Sequence, residues 1–256
     1  RKRMKLTDEI LFEVEDGGIA VITIDRPQAR NAINSGVIEG LRLAWQRFAG
    51  DAALRVAILT GSGDKAFCAG MDLKAVLNDP DAPGQLLMKL AELCLFIRSL
   101  PLVTIASVNG AAIGGGCGLA CVCDLAITHA DSKMGFPEVD LGVCPAVVAP
   151  WLVRKIGPGK ARRVLLSGGL MSGREAHALG IVDHLVDTRE ELEKSTDTLA
   201  MRLNEGGAKA LAATKQLLNT LDGSLDEAQA REGARLSAQV LALPEAREML
   251  ARKLAK

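Results

Sequence analysis

Glu138 is the residue in this sequence whose type and surroundings best suit proton transfer. It follows Phe136 and Pro137 and precedes Val139, so apolar residues flank it on both sides. Burial among such neighbours raises the pKa of a carboxyl group toward the range in which it can both accept and donate a proton. Glu138 is therefore a candidate general acid–base, although a surface glutamate in a turn fits the same residue types.

Two glycine-rich segments could present backbone N–H groups to a substrate. Residues 68–72 have the sequence Cys-Ala-Gly-Met-Asp, and residues 109–116 have the sequence Asn-Gly-Ala-Ala-Ile-Gly-Gly-Gly. Glycine is favoured where a backbone turns sharply or is approached closely. Two backbone N–H groups aimed at one point form an oxyanion hole, which stabilises negative charge on a substrate oxygen. Two tight turns beside a helix start would explain the same residues without any chemistry.

A third glycine-containing segment, Gly61 to Ala66, formally fits the dinucleotide-binding pattern G-x-G-x-x-A. That pattern must open a helix and be followed by a strand that carries an acidic residue. Residues 66–73 instead contain another glycine and no helical stripe, and the loop sequence Asn-Asp-Pro-Asp-Ala-Pro-Gly follows at 78–84. A plain loop is the better interpretation of this segment.

The chain around these segments alternates predicted strands and helices. Hydrophobic patterning and glycine or proline boundaries predict strands at 10–15, 18–25, 54–61, 102–108, 125–130 and 181–186, and helices at 35–48 and 85–99. Gly17-Gly18 predicts a hairpin turn between the first two strands. Each of the two glycine-rich segments follows a predicted buried strand.

The C-terminal part is predicted to be helical. Three capping boxes indicate helix starts, namely Ser172 with Glu175, Thr188 with Glu191 and Ser224 with Glu227. Amphipathic helices are expected at 188–204, 207–221 and 224–252. We therefore expect a mixed α/β part over residues 1–190 and an all-helical part over residues 191–256, packed onto the body or onto another subunit.

Composition narrows the classes of function. The 31 basic and 31 acidic side chains give a net charge of zero, which makes nucleic acid an unexpected main partner. Five Phe, two Trp and no Tyr leave little for base or sugar stacking. No apolar run approaches the ~18 residues of a membrane span. The N-terminal sequence Arg-Lys-Arg-Met-Lys-Leu lacks the apolar core of a secretory signal.

Cysteine usage favours a reducing compartment. The six cysteines lie in apolar stretches, and none forms a Cys-x-x-Cys pair. Buried free thiols fit this pattern better than disulfides or a zinc site. We therefore expect a cytoplasmic protein without a metal site.

Four segments carry a family resemblance. They are IDRPQARNAI at 24–33, AFCAGMDLK at 66–74, VNGAAIGGGCGLACVCDLAI at 108–127 and MGFPEVDLGVCP at 134–145. Together they resemble the crotonase superfamily, also called the enoyl-CoA hydratase/isomerase family, over nearly the whole chain. The resemblance implies an α/β fold, a crotonase-like spiral of ββα turns with a C-terminal helical trimerisation region.

The same resemblance implies the substrate and the site. Family members bind acyl-CoA thioesters and stabilise a thioester enolate in an oxyanion hole, so coenzyme A arrives with the substrate and no other cofactor is expected. The implied catalytic groups are the Glu138 carboxylate and the N–H groups of Met71 and Gly115. The implied substrate-binding residues are Arg30, Ala32, Ala69, Met71, Asp72, Leu73, Lys74 and Gly115. A homotrimer or a hexamer is the implied assembly.

The sequence departs from the family pattern at the catalytic centre. Family hydratases hold water between two glutamates, but the first position is Gly118 here and only the second, Glu138, is kept. The usual Pro-Gly-Ala-Gly-Gly is Pro-Ala-Val-Val-Ala at 145–149, which crowds the place of a water. One carboxylate suits an enoyl-CoA isomerase, which takes a proton at the α-carbon and returns it at the γ-carbon. The stretch 141–157 also resembles bacterial methylglutaconyl-CoA hydratases, so a single-glutamate hydratase stays open.

A non-catalytic, RNA-binding family member is the alternative from another class of function. Such a protein should carry a lysine-rich helix. The helix predicted at 35–48 has only Arg42 and Arg47 as basic residues, which disfavours this alternative.

The remaining polar residues near the motifs have structural interpretations. Asp72 and Asp124 are expected to bond to N–H groups of loops or helix starts. Asp140 is expected to share one face of an extended segment with Glu138, where it could perturb the glutamate. The three histidines, His129, His177 and His184, are expected to be structural or to face solvent.

Overall fold

The structure is a computed structural model that describes residues 4–15, 17–73 and 82–254. Its strands are β1 Met4–Lys5, β2 Ile10–Glu15, β3 Ile19–Ile24, β4 Val56–Gly61, β5 Ala66–Cys68, β6 Val103–Val108, β7 Ala111–Ile113, β8 Leu125–His129, β9 Lys133–Gly135, β10 Leu170–Ser172 and β11 His184–Val186. Its helices are α1 Ser35–Ala49, α2 Ala82–Ser99, α3 Gly115–Val122, α4 Ala149–Ile156, α5 Pro158–Ser167, α6 Gly173–Leu179, α7 Leu192–Asn204, α8 Ala208–Asp222, α9 Glu227–Ala242 and α10 Pro244–Leu254. Two 3-10 helices span Pro27–Ala29 and Pro137–Leu141. None of the described helices combines the length and apolarity that crossing a membrane takes.

The strands form two sheets. The larger sheet has the order β1-β2-β3-β4-β6-β8-β11, with antiparallel pairing among β1, β2 and β3 and parallel pairing from β3 onward. The smaller sheet has the order β10-β9-β7-β5, in which only the β10–β9 pair is antiparallel. After the N-terminal hairpin, the chain places β4 in the larger sheet and β5 in the smaller one before α2. The units β6-β7-α3 and β8-β9 repeat that path, which confirms the spiral of ββα turns.

The central strands of the larger sheet are buried on both faces. Every residue of β3 and of β6 is buried, because helices cover the sheet from each side. Ile22 lies in the main core with side chains of α1, and its neighbour Val21 packs in a second cluster with Leu192 of α7. This alternation follows from the two-residue repeat of a strand, and it explains why β3 is apolar at every position except Thr23.

Local signals in the sequence locate most of the long elements. The hairpin of β2 and β3 forms with six paired positions around the Gly17-Gly18 turn, as predicted. Helix α1 begins after Asn34, whose side chain accepts a hydrogen bond from the Val37 N–H at 2.8 Å. The capping box of Ser172 and Glu175 opens α6, which confirms that prediction.

Three C-terminal predictions are wrong in position. Helix α7 begins at Leu192 and not at Thr188; the carboxylate of Glu191 instead accepts the backbone N–H groups of residues 187 and 188. Helix α9 is capped by Asp226, which accepts from the Gln229 N–H at 2.9 Å, and not by Ser224. The helix predicted at 224–252 is two helices, because Pro244 forces the preceding residue out of the helical region.

The C-terminal helices are tied to the body by a buried charge cluster. Lys215 of α8 donates from its ammonium group to the Leu102 carbonyl at 2.9 Å and to Asp124 Oδ2 at 2.7 Å. Asp124 also accepts the backbone N–H of Thr104 at 2.8 Å and forms an ion pair with Arg98 at 3.3 Å. Asp124 is therefore structural, as expected, and it joins α8 to the start of β6.

Loss of the Lys215 ammonium should destabilise the protein. In Lys215→Met, the Asp124 carboxylate keeps Arg98 and Thr104 but loses its nearest cation, and breaking a buried ion pair costs about 3–5 kcal/mol. We expect the free energy of unfolding, measured by urea denaturation, to fall by about 3 kcal/mol. Lys209→Met, at an exposed position of the same helix, is the control and should change it by less than about 0.5 kcal/mol. Equal effects of the two variants would contradict a role for the buried pair.

Candidate active site

The described residues line a partly open cavity of about 100 Å³ between the smaller sheet, α2 and the C-terminal helices. Its lining is apolar apart from Glu138, Ser237 and the backbone of the two glycine-rich segments. Ala69, Gly70, Met71, Leu73, Leu87, Leu90, Ile113, Gly114, Gly115, Pro137, Glu138, Leu141, Val143, Cys144, Pro145, Val147, Val148, Ser237 and Leu241 form the lining. The structure therefore brings both glycine-rich segments and the candidate carboxylate into one cavity.

The two glycine-rich segments touch each other through backbone alone. Gly70 has φ +85°, and a Cβ there would lie 2.6 Å from the Ile113 carbonyl oxygen and 3.5 Å from the Gly115 nitrogen. A Cβ on Gly116 would overlap the Cys68 carbonyl oxygen. Only glycine allows the start of α3 to approach the end of β5 this closely.

Two backbone N–H groups at this contact are free to bind a ligand. The Ile33 N–H donates to the Gly70 carbonyl at 2.7 Å, and the Asp72 N–H donates to the Ile33 carbonyl at 2.9 Å, so the N–H of Met71 points away from that bridge. Gly115 is the first residue of α3, where an N–H has no partner within the helix. Neither N–H has an acceptor among the described residues. Together with the positive end of α3, these two donors suit an anionic oxygen.

Glu138 lies in the same cavity with an unsatisfied carboxylate oxygen. It belongs to the 3-10 helix Pro137–Leu141, and its Oε1 lies 2.8 Å from the position that a Cβ on Gly114 would take. Its Oε2 is buried and has no hydrogen-bond partner among the described residues. Burial raises the pKa of Glu138 to about 7, against a smaller opposing effect of its own backbone hydrogen bond. The group is therefore poised to exchange a proton near neutral pH.

The space beside Gly118, where a second carboxylate would be expected, is filled by Val148. A Cβ on Gly118 would overlap Val148 Cγ1 and would lie 2.7 Å from Val148 Cβ. Val147 also lines the cavity, whereas Ala146 does not. The replacement at 145–149 therefore crowds the site as the sequence indicates, and the crowding side chains are the two valines.

Asp140 does not act on Glu138, which corrects the expectation of a shared extended face. The segment is a 3-10 helix, and Asp140 is exposed and accepts a hydrogen bond from the Gly169 N–H at 2.7 Å. Among the histidines, His177 and His184 are exposed as expected, while His129 is half-buried and its pKa is lowered chiefly by burial.

Of the other residues assigned by resemblance, some line the cavity and others lie outside it. Ala69 and Leu73 line the cavity. Arg30 is exposed with φ +52°, and its carbonyl accepts from the Ala69 N–H at 3.1 Å. Ala32 is buried. Lys74 lies outside the described residues.

Arg26 is a framework residue that sequence reasoning missed. Its guanidinium donates to the Ala32 carbonyl at 2.6 Å and pairs with Asp72 Oδ2 at 3.2 Å and with Glu9 Oε1 at 2.9 Å. Asp72 is therefore held by a guanidinium rather than by the loop or helix-start N–H groups expected for it, and its side chain does not line the cavity. Arg26 stands inside the motif at 24–33, but nothing local in the sequence indicates partners that lie 17 residues before it and 46 residues after it.

The C-terminal helices contribute to the site of their own chain. Ser237 and Leu241 of α9 line the cavity, and Leu250 of α10 is fully buried beside them. The expectation that the helical part packs onto the body is confirmed for this helix. The amphipathic pattern predicted the apolar face of α9 but not which surface it would cover.

The cysteines are free thiols, as expected. Five are buried, and Cys144 is half-buried in the cavity lining. Within the described ranges, no group of three or more His, Cys, Asp and Glu side chains could hold a metal ion.

A family model and several known proteins that resemble this chain point to the same family. A sequence model described as enoyl-CoA hydratase/isomerase matches residues 14–248. The putative enoyl-CoA hydratase/isomerase YngF of Bacillus subtilis is 34% identical over 83% of this chain and 82% of its own length. The crotonyl-CoA hydratase of Syntrophomonas wolfei is 34% identical over 83% of this chain and 82% of its own. The human mitochondrial methylglutaconyl-CoA hydratase is 31% identical over 84% of this chain and 66% of its own.

Solved structures agree with the fold. The crystal structure of an enoyl-CoA hydratase/isomerase from Xanthobacter autotrophicus superposes with a TM-score of 0.85 at 28% identity, covering 97% of this chain and 96% of that chain.

Burial of Glu138 should leave a signature in the pH dependence of stability. Its folded pKa of about 7 lies above the ordinary value of 4.5, so the folded state binds the extra proton between these values and the free energy of unfolding falls as the pH rises through them. Glu138→Gln lacks this titration. Its free energy of unfolding, measured relative to that of the parent, should therefore rise by about 2 kcal/mol between pH 5.5 and pH 8.5. Urea unfolding at both pH values measures this difference, and parallel pH profiles would contradict it.

Proposed function

Because the chain belongs to the enoyl-CoA hydratase/isomerase family, we propose that it adds water across the Cα–Cβ double bond of an enoyl-CoA thioester, with Glu138 as its one carboxylate acid–base. One observation carries the proposal. Glu138, whose buried Oε2 has no hydrogen-bond partner among the described residues, lines the same small cavity as Met71 and Gly115, whose N–H groups have no acceptor among those residues. A proton-transfer group and an anion-stabilising pair are the two parts that addition to an unsaturated thioester needs.

The proposed first step moves a proton to Glu138. The ionised carboxylate takes a proton from water, the hydroxide oxygen bonds to Cβ, and the π electrons of the double bond move onto the thioester oxygen as an enolate. The N–H groups of Met71 and Gly115 stabilise that oxygen, and one such donor contributes roughly 3–4 kcal/mol to the transition state.

The second step returns the proton. The carboxylic acid form of Glu138 donates the same proton to Cα, the enolate collapses to the thioester, and the product is a 3-hydroxyacyl-CoA. Because one group delivers both the hydroxide and the proton, both add to the same face of the double bond. The pKa of about 7 keeps the two forms of Glu138 close in free energy, so the group can serve both steps.

Isomerisation of the double bond is the second candidate, and Val148 favours it. The side chain of Val148 occupies the space beside Gly118, which leaves less room for a water opposite Glu138. In that reaction Glu138 removes a proton from Cα of a 3-enoyl-CoA, the same pair of N–H groups holds the dienolate, and Glu138 returns the proton at Cγ. Product analysis on crotonyl-CoA and on a 3-enoyl-CoA separates the two reactions, and efficient hydration of crotonyl-CoA excludes a pure isomerase.

Neither reaction calls for a metal ion or redox cofactor, since only a proton, water and an enolate are involved. Coenzyme A belongs to the substrate. Arg30 and Ala32 are proposed to meet its nucleotide, while Ala69, Met71, Asp72, Leu73 and Lys74 are proposed to meet the pantetheine end; for Asp72 the ion pair with Arg26 indicates an indirect part. The buried free thiols support a reducing compartment, and we propose a cytoplasmic location.

Removal of the acid–base should abolish turnover without abolishing binding. Glu138→Gln keeps the shape of the side chain and removes its proton exchange, so kcat on crotonyl-CoA should fall by at least ~100-fold. The assay follows loss of the conjugated thioester absorbance, and calorimetry should show an almost unchanged affinity for a saturated CoA ester. Asp140→Asn, in the same 3-10 helix but turned to Gly169, is the control and should keep near-normal kcat. Near-normal turnover of Glu138→Gln would exclude Glu138 as the base.

The exposed leucines of α8 support an oligomer. Leu217, Leu218 and Leu221 lie on α8 and are 57%, 55% and 74% exposed. Further exposed apolar side chains lie at Leu166, Met201, Leu225, Leu236 and Leu243. Exposed apolar side chains grouped on one helix, as on α8, are typical of an interaction site. We propose that copies of this chain cover α8 in a homotrimer and that two trimers can pair as a hexamer.

Charge on that surface should dissociate the assembly. Sedimentation velocity of the parent at micromolar concentration should give the mass of three or six chains of 27.0 kDa. The double variant Leu218→Glu, Leu221→Glu should shift the protein toward monomer, because buried unpaired carboxylates oppose association. Lys209→Glu, at an exposed position of the same helix, should leave the mass unchanged. A monomeric parent would contradict this proposal.

A further inference from the structure

We infer that a wall formed by Val147 and Val148 restricts the acyl group to a short chain, an inference that rests on the proposed function. Both side chains line the cavity, and both are more than nine-tenths buried. The side chains of α2 that line the cavity, Leu87 and Leu90, are apolar as well.

Val148 can form part of the cavity wall because it packs against Gly118, which has no side chain. Its Cβ and Cγ1 occupy the space that a side chain at position 118 would need. Gly118 is in the middle of α3 and is fully enclosed, so it cannot retreat from the valine. The acyl chain therefore meets a packed surface at this point, and not an open channel.

The wall is held at both ends by hydrogen bonds. The N–H groups of Val148 and Ala149 donate to the Pro145 carbonyl at 3.1 and 2.9 Å. Ser237 of α9 donates to the Cys144 carbonyl at 2.8 Å and accepts from the Ala146 N–H at 3.1 Å. Displacing the valines to admit a longer chain would break contacts to both α4 and α9.

The size of the cavity sets the limit in carbon atoms. An apolar cavity of roughly 150 Å³ accepts benzene, a molecule of six carbons. The cavity here offers about 100 Å³, and it must also hold the thioester carbonyl. We therefore expect acyl groups of about four carbons to fit beside the wall, and groups of eight carbons to require displacement of the valines.

Leu241 of α9 also lines the cavity. It is 6% exposed and packs with Leu141 and Val143 in the cluster beside the cavity. The enclosure thus includes a residue of the C-terminal helices, so the limit on chain length depends on how α9 is seated as well as on the valines.

The test measures binding of saturated acyl-CoA esters, which cannot react. Calorimetry with butyryl-, hexanoyl- and octanoyl-CoA should show the parent binding the octanoyl ester at least about tenfold more weakly than the butyryl ester, since one methylene in a fitted pocket changes selectivity by about tenfold or more. Equal affinities across the series would overturn the inference. Absence of binding to every ester would instead overturn the proposed function.

Variants of Val147 and Val148 test whether these two side chains set the limit on acyl chain length. Val148→Ala should improve the ratio of octanoyl to butyryl affinity by about tenfold, and Val147→Ala should act in the same direction. Val153→Ala, at an exposed position of α4, is the matched control and should leave the ratio unchanged. An unchanged ratio in folded Val148→Ala would overturn the assignment; should that variant not fold, Val147→Ala and the series with the parent decide.

Discussion

The site depends on the close approach of two backbones at Gly70 and Gly115. A Cβ at either Gly70 or Gly116 would collide with a carbonyl of the other segment. Without side chains between them, the end of β5 and the first turn of α3 present their N–H groups to one cavity, and the positive end of the helix adds to their effect. The spiral makes this contact possible, because the parallel pairing of β5 with β7 places the two segments side by side.

The position of Glu138 lowers the stability of the fold. A carboxylate with an unpartnered buried oxygen resists ionisation, which is why its pKa rises. The surrounding apolar packing and the enforced turn at Pro137 keep the group there despite that cost. By contrast, Asp124 is surrounded by Lys215, Arg98 and Thr104, and its contacts with them hold α8 against the body. The same functional group thus stabilises the fold in one environment and is available for chemistry in the other.

Sequence alone predicts what local chemistry determines. The hairpin at Gly17-Gly18 and helix α1 each follow from signals within a few residues, whereas the pairing of the segments at Gly70 and Gly115 is indicated only by the family resemblance. The three-residue strands β5, β7 and β9 are too short to give a periodic pattern, and their pairing depends on the larger sheet. The partners of Arg26, the turn of Asp140 toward Gly169 and the contribution of Ser237 to the cavity join residues far apart in sequence. Such contacts follow from the fold and leave no local trace.

Gly118 and Val148 are best understood as one coupled substitution. Glycine at 118 removes a side chain from the catalytic wall and would leave a void, and unfilled core volume costs about 24 cal/mol per Å³. Val148 fills that space, so the pair restores packing while leaving one carboxylate in the cavity. A glutamate placed at 118 would collide with the valine before it could bind a water, and a smaller residue at 148 alone would open the void. Because each residue determines what the other position tolerates, their effects on stability are not additive. The proposed single-carboxylate chemistry and the proposed limit on acyl length therefore depend on the same pair of residues.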